Sequence, residues 1–142
     1  MEKIDRVIFY SLDKSIKTYR QFAQRKFIEA GLDITIDQWL VLNAIAEKPG
    51  TNQLEIAEKV FKDAASVTRI IDLLIKKNYL TRESHSSDRR RFSLVLTKEG
   101  ITMIKDMSKI VAQNRATALK NISEKDLLQM RETLNLIINN CK

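Results

Sequence analysis

Cysteine is nearly missing from this 142-residue chain: Cys141 stands alone, so no disulfide can form within one molecule. A reducing compartment is then the default expectation. Proline and glycine are almost as scarce. Pro49 is the only proline and Gly31, Gly50 and Gly100 are the only glycines, which leaves few points where a helix must stop. Long helices with short connections are expected. No run of about 18 apolar residues occurs, so no membrane-spanning helix is expected. Met1 to Arg6 is charged and lacks the apolar segment of a signal peptide, which points to the cytoplasm. His85 is the only histidine. Without metal-ligand spacing, a glycine-rich phosphate loop or a Ser/His/Asp set, no metal, cofactor or catalytic residue is expected.

Hydrophobic residues make up 44% of the chain, enough for a core, and its length suits one domain. The formal net charge is +7, a balance that suits a polyanionic partner. Ile4, Ile8, Leu12, Ile16, Tyr19, Ala23 and Phe27 recur at three- and four-residue steps, which predicts one long amphipathic helix ending before Gly31. Thr35 and Gln38 form a capping box that opens a second helix, carrying Trp39, Leu40, Leu42, Ala44 and Ile45 to a stop at Pro49-Gly50. Asn52 with Glu55 resembles another such box, opening a short helix with Leu54, Ala57 and Val60 inward. Thr97 caps a helix from Lys98 to about Asn121 with Ile101, Ile104, Met107, Val111 and Leu119 inward. Ser123 opens the last helix, where Leu127, Met130, Leu134, Ile137 and Cys141 fall at near-heptad steps.

Between these lies Lys62–Leu96. Asp63 is a good N-cap for a helix whose buried stripe is Val67, Ile70, Ile71, Leu74 and Ile75. Its other face shows Ala65, Ser66, Thr68, Arg69, Asp72 and Lys76, small and hydrogen-bonding residues of the kind that read a major groove. Leu80–Ser84 and Phe92–Leu96 alternate as strands, with Phe92, Leu94 and Leu96 on one face and a polar turn from His85 to Arg91 between. Arg89, Arg90 and Arg91 repel one another unless an anion is present, and a narrow minor groove supplies one. His85, beside the tip, suits phosphate contact rather than proton transfer. From Lys62 to Phe92 eight basic residues face four acids, so more than half the excess charge lies in about a fifth of the chain. The fold expected is mainly α with a small β-hairpin (α+β): a winged helix-turn-helix over 35–97, with 1–31 and 98–142 forming a helical dimerisation lobe.

The segment Thr35 to Gly100 resembles the MarR family of winged helix-turn-helix regulators. The resemblance rests on Gln38-Trp39 through Ile45, Leu54-Glu55-Ile56-Ala57, Ser66-Val67-Thr68-Arg69, Leu80-Thr81-Arg82, Asp88-Arg89-Arg90 and Leu96-Thr97-Lys98-Glu99-Gly100, in that order. It implies a homodimeric, sequence-specific binder of double-stranded DNA acting on a pseudo-palindromic operator, with repression as the expected mode. DNA contact is carried onto Ser66, Thr68 and Arg69 and wing contact onto Arg90, with Arg89 and Arg91 close by; Gln53, Lys62, Ala65 and Lys76 complete the expected surface. Asp88 is expected to orient a basic neighbour. Asn78 stands where the family commonly has glycine, so a left-handed Asn is expected there. The family also implies release by a small aromatic or phenolic effector in a cleft lined from the first, second and fifth helices, here Ile16, Tyr19, Phe22, Trp39, Asn43 and Met107. Cys141 lacks a neighbouring His to lower its pKa and makes a poor oxidant sensor.

A winged-helix module that binds protein instead of DNA is the competing reading. Such a face would expose aromatic or aliphatic anchors, whereas this one shows small polar and basic residues.

Overall fold

The computed structural model describes residues 1–85 and 88–142, with backbone alone for residues 85 and 88–92. A short 3-10 turn, Ile4–Arg6, precedes α1 (Ile8–Glu29), α2 (Ile36–Glu47), α3 (Gln53–Lys59) and α4 (Ala64–Lys76). An antiparallel hairpin, β1 (Leu80–His85) and β2 (Asp88–Leu96), then leads to α5 (Lys98–Ala118) and α6 (Glu124–Asn140). This is a mainly helical winged helix-turn-helix, as expected.

Side-chain caps set most of the helix starts. Thr35 and Gln38 form the full reciprocal box, while Asp63, Thr97 and Ser123 each accept from the backbone N–H three residues on. Asn52 caps α3 in the same way, but Glu55 turns its carboxylate to the Asn52 amide, Lys48 and Thr51 rather than to the backbone. Helix ends are closed by left-handed residues: Gly31 after α1, Phe61 after α3 and Asn78 after α4. Behind each, the next residue's N–H returns to a helix carbonyl, as in Leu32 to Phe27 O at 3.0 Å, Lys62 to Ala57 O at 2.9 Å and Tyr79 to Leu74 O at 2.9 Å.

The junction from hairpin to α5 explains its sequence. The Thr97 hydroxyl donates to Asn78 O at 2.6 Å, and the Gly100 N–H donates to Thr97 Oγ1 at 2.9 Å. A Cβ on Gly100 would lie 2.2 Å from Tyr79 O, so only glycine allows this approach.

The core is continuous. Phe27, Val41, Leu42, Ile45, Ile56, Val67, Ile71, Leu74, Leu80, Leu94, Met107 and Val111 belong to one cluster drawn from α1 through α5 and the hairpin. Val67, Ile71 and Leu74 are fully buried and anchor α4. At roughly 1.5–3 kcal/mol each, they outweigh any exposed ion pair at about 0.2–1 kcal/mol.

Several expectations are corrected. The first amphipathic run is not one helix: Val7 is extended, so the 3-10 turn and α1 are separate. A β-branched residue gives up helix geometry readily where no cap or packing holds it. Ile4, Ile8 and Ile16 are exposed, and only Ala23 and Phe27 of that stripe are buried. On α3 Leu54 points out at 74% exposure, because Ile56, Ala57 and Val60 face the core from the opposite side of the helix. On α5 Ile101 is exposed, as is Leu119 just past its end, while Met107, Val111 and Asn114 are buried. Strand β2 begins at Asp88 rather than Phe92, so the backbone of Arg89, Arg90 and Arg91 belongs to a strand; pairing passes from Ser84–Phe92 to His85–Asp88 across an irregularity.

Candidate nucleic-acid interface

The outer face of α4 is built from its N-cap upward. Asp63 Oδ1 accepts from the Ser66 N–H at 2.8 Å and Oδ2 from the Ser66 hydroxyl at 3.0 Å. Those two bonds, backbone first, hold the Asp63 carboxyl below the usual carboxylate range, with the Arg69 charge adding to the effect. Arg69 in turn donates to Ser66 Oγ at 3.3 Å. Asp63, Ser66 and Arg69 thus form one polar chain along the first turn and a half of the helix. The guanidinium is tethered without being buried, since Arg69 is exposed. A side chain already held near its working position loses less rotamer freedom on binding.

Ala65, Arg69, Asp72 and Lys76 are exposed along the same face, and Ser66 and Thr68 are half-buried at its edge. The Thr68 hydroxyl donates to Ala64 O at 2.9 Å, which leaves its oxygen free to accept. Asp72 pairs with Arg82 of β1 at 2.7 Å and so bridges helix and hairpin at the surface. Gln53 opens α3 and is half-buried. Lys62 does not stand free: its ammonium lies 3.2 Å from Asp37 Oδ2. The side chains of Arg89, Arg90 and Arg91, like those of His85 and Phe92, lie outside the described residues, as do Ser86 and Ser87.

Sequence reasoning missed two apolar residues of this region. Leu73 is 46% exposed on the outer side of α4, and Phe61, at the turn before α4, is 94% exposed with φ +58°. The first could have been found by continuing the helical period past Ile70. The second carries no periodic signal.

Of the six residues expected to line an effector cleft, two line one cavity together. Tyr19 and Phe22, with ring centroids 6.5 Å apart, line a cavity of about 630 Å³ with Ser11, Lys14, Ser15, Thr18, Arg25, Thr117 and Ala118. Met107 is fully buried in the core, Ile16 is half-exposed, and Trp39 and Asn43 sit on α2 and are not part of that lining. Two buried donors, Trp39 Nε1 and Asn114 Nδ2, have no protein acceptor among the described residues. No helix among the described residues is long and apolar enough to cross a membrane, and no three His, Cys, Asp or Glu of them gather as a metal site.

A two-helix unit, an outward polar helix face and an adjoining hairpin define a winged helix-turn-helix DNA-binding protein. The family model described as MarR family matches residues 34–92, and this segment belongs to the MarR family of DNA-binding transcriptional regulators. Non-enzymatic activity goes with that membership. The chain is similar to a Listeria innocua Clip11262 protein of unknown function, at 30% identity over 94% of this chain and 91% of that one, with TM-score 0.72. It also resembles Staphylococcus aureus MepR in its complex with DNA, at 21% identity over 99% and 100% of the two chains and TM-score 0.84. Bordetella bronchiseptica BpsR, whose DNA binding is regulated by 6-hydroxynicotinic acid, matches at 16% identity over 96% of each chain with TM-score 0.86.

Proposed function

We propose that this regulator represses transcription in the cytoplasm as a homodimer on a pseudo-palindromic operator and is released by a small aromatic or phenolic effector. The observation that carries DNA reading is the uncovered outer face of α4, where Ala65, Ser66, Thr68, Arg69 and Lys76 stand together with Arg69 pre-positioned by Asp63 and Ser66. In this reading α4 enters the major groove, Gln53 and Lys76 flank it on phosphates, and the Arg89–Arg91 wing reaches an adjacent minor groove. A compact dimer over a promoter blocks polymerase without further contacts.

Dimerisation is supported by α6, no residue of which is buried although Leu128, Met130, Leu136 and Ile138 are all apolar. Effector release is supported by the cavity at Tyr19 and Phe22, where two aromatic rings and the cations Lys14 and Arg25 suit a flat anionic molecule. BpsR, regulated by 6-hydroxynicotinic acid, offers a parallel in a protein of the same fold.

Salt titration tests the DNA reading. A dimer making on the order of 8 phosphate contacts gives a log–log slope of roughly −7. A flat response on every duplex would leave protein binding as the main activity. Arg69→Ala should cost about 1–3 kcal/mol on a duplex selected from a random pool and relax base preference at one position. Equal losses on selected and scrambled duplexes would reduce Arg69 to a phosphate contact.

A further inference from the structure

The chain entering α2, from Asp33 through the helix's first turn, holds lysines that flank both ends of α4. At the N-terminal end, Asp37 Oδ2 holds the Lys62 ammonium at 3.2 Å, one residue before the N-cap. At the C-terminal end, Lys77 donates to Asp33 O at 2.9 Å and to Gln38 Oε1 at 3.2 Å. From the other side α1 holds the same turn of α2. Arg20 donates to Asp37 Oδ1, and Gln24 Oε1 accepts from the Ile36 N–H at 3.1 Å. Asp37 is therefore shared, with one oxygen on α1 and the other on the turn that leads into α4.

We infer that Asp37 is a positioning residue for DNA reading, which sets the seat of α4 against α1 through Lys62 and Arg20. The inference rests on the DNA-binding reading above. Lys62 then serves as a strut and not as a phosphate contact. Three features support this. Asp37, Lys62 and Arg20 are all half-buried, with side-chain exposures of 32%, 31% and 41%, so water screens the cluster less than it does a surface pair. The two cations come from elements far apart in sequence, so the carboxylate joins α1 to the helix-turn-helix and does more than cap α2. Lys62 also directly precedes Asp63, whose bonds to Ser66 orient Arg69, so a shift at Lys62 passes along the same polar chain.

The electrostatic sign makes the inference testable. Removing an acid from a basic protein should, on charge alone, strengthen binding to any duplex. A positioning role requires the opposite on the selected site. Binding is measured on a duplex selected from a random pool and on a scrambled one, across a salt series, with melting temperatures to confirm folding. Asp37→Asn should weaken the selected duplex about 5-fold and leave the scrambled one equal or tighter. Lys62→Gln, which leaves α2 untouched, should repeat that selective loss with an unchanged salt slope. The double variant should be no worse than Asp37→Asn alone, because that change already removes the Lys62 strut. If Lys62→Gln weakens both duplexes alike and lowers the slope by about 1, Lys62 is a phosphate contact and the inference is wrong. Unchanged or tighter binding of the selected duplex by Asp37→Asn overturns it too. A wild-type protein that selects no duplex and shows no salt response overturns the DNA reading itself, and the role of Asp37 with it.

Discussion

Phe61 occupies a place where the backbone prefers glycine. Its φ of +58° closes α3, and its ring is 94% exposed, so the residue gains no burial in return for the strain. A left-handed non-glycine residue costs roughly 1–2 kcal/mol, and glycine gives back about 0.5–1 kcal/mol through its freer unfolded state. Phe61→Gly should therefore stabilise the protein by about 0.5–1 kcal/mol, read as a higher urea midpoint with an unchanged slope. A lower midpoint would show that the ring packs in solution. Asn78 solves the same problem after α4 with a residue that tolerates φ +66°, and this was legible through the family resemblance, because Asn stands where glycine is common. Phe61 was not legible. Nothing in the order Val60-Phe61-Lys62 distinguishes a helix-closing residue from a core aromatic until the chain is folded.

At the scale of elements, the polar caps were the most readable feature, because each needs only one side chain and a three-residue spacing. The inward stripes were less readable. Leu54, Ile101 and Leu119 keep helical period with buried neighbours, yet the face they belong to is chosen by where the next element lies. Strand β2 starts early for a related reason: Asp88-Arg89-Arg90-Arg91 has no alternating pattern, and only Asp88, opposite His85 across the irregularity, ties that stretch to β1. The cap on α4 yields a pH prediction. The folded Asp63 carboxyl lies below its unfolded value, so its stabilising contribution is present above the unfolded pKa, about 3.9, and is lost as pH falls through the folded value. Asp63→Ala should melt earlier than wild type at neutral pH, and the gap should narrow in acid below that range. It should also loosen Arg69, since Ser66 loses both bonds to the cap. A gap that stays constant from neutral pH into strong acid would mean that the carboxylate charge contributes nothing.

For the molecule as a whole, the core drawn from α1 to α5 accounts for a folded helix-turn-helix but leaves its first and last elements uncovered. Leu127, Leu134 and Ile137 of α6 are half-buried, whereas Leu128, Met130, Leu136 and Ile138 are about half exposed or more. Ile4, Ile8 and Phe9 are likewise exposed at the other end of the chain. Apolar surface on this scale marks an interaction site in a stable protein. The charge sits elsewhere, in Lys62–Phe92, so the apolar elements and the DNA face do not compete for the same surface. A second copy that covers α6 would hold two α4 helices at a fixed separation, which a two-fold operator with half-sites one turn apart, about 34 Å, requires. The chain should therefore sediment at twice its 16.4 kDa mass at micromolar concentration, with a melting temperature that rises with concentration. Leu128→Lys with Met130→Lys places charge on that surface without touching the core. It should yield the single-chain mass, a concentration-independent melting temperature and a loss of affinity for a two-half-site duplex much larger than for a single half-site. A variant that still sediments as a pair would move the dimer contact off α6 and onto the uncovered N-terminal residues.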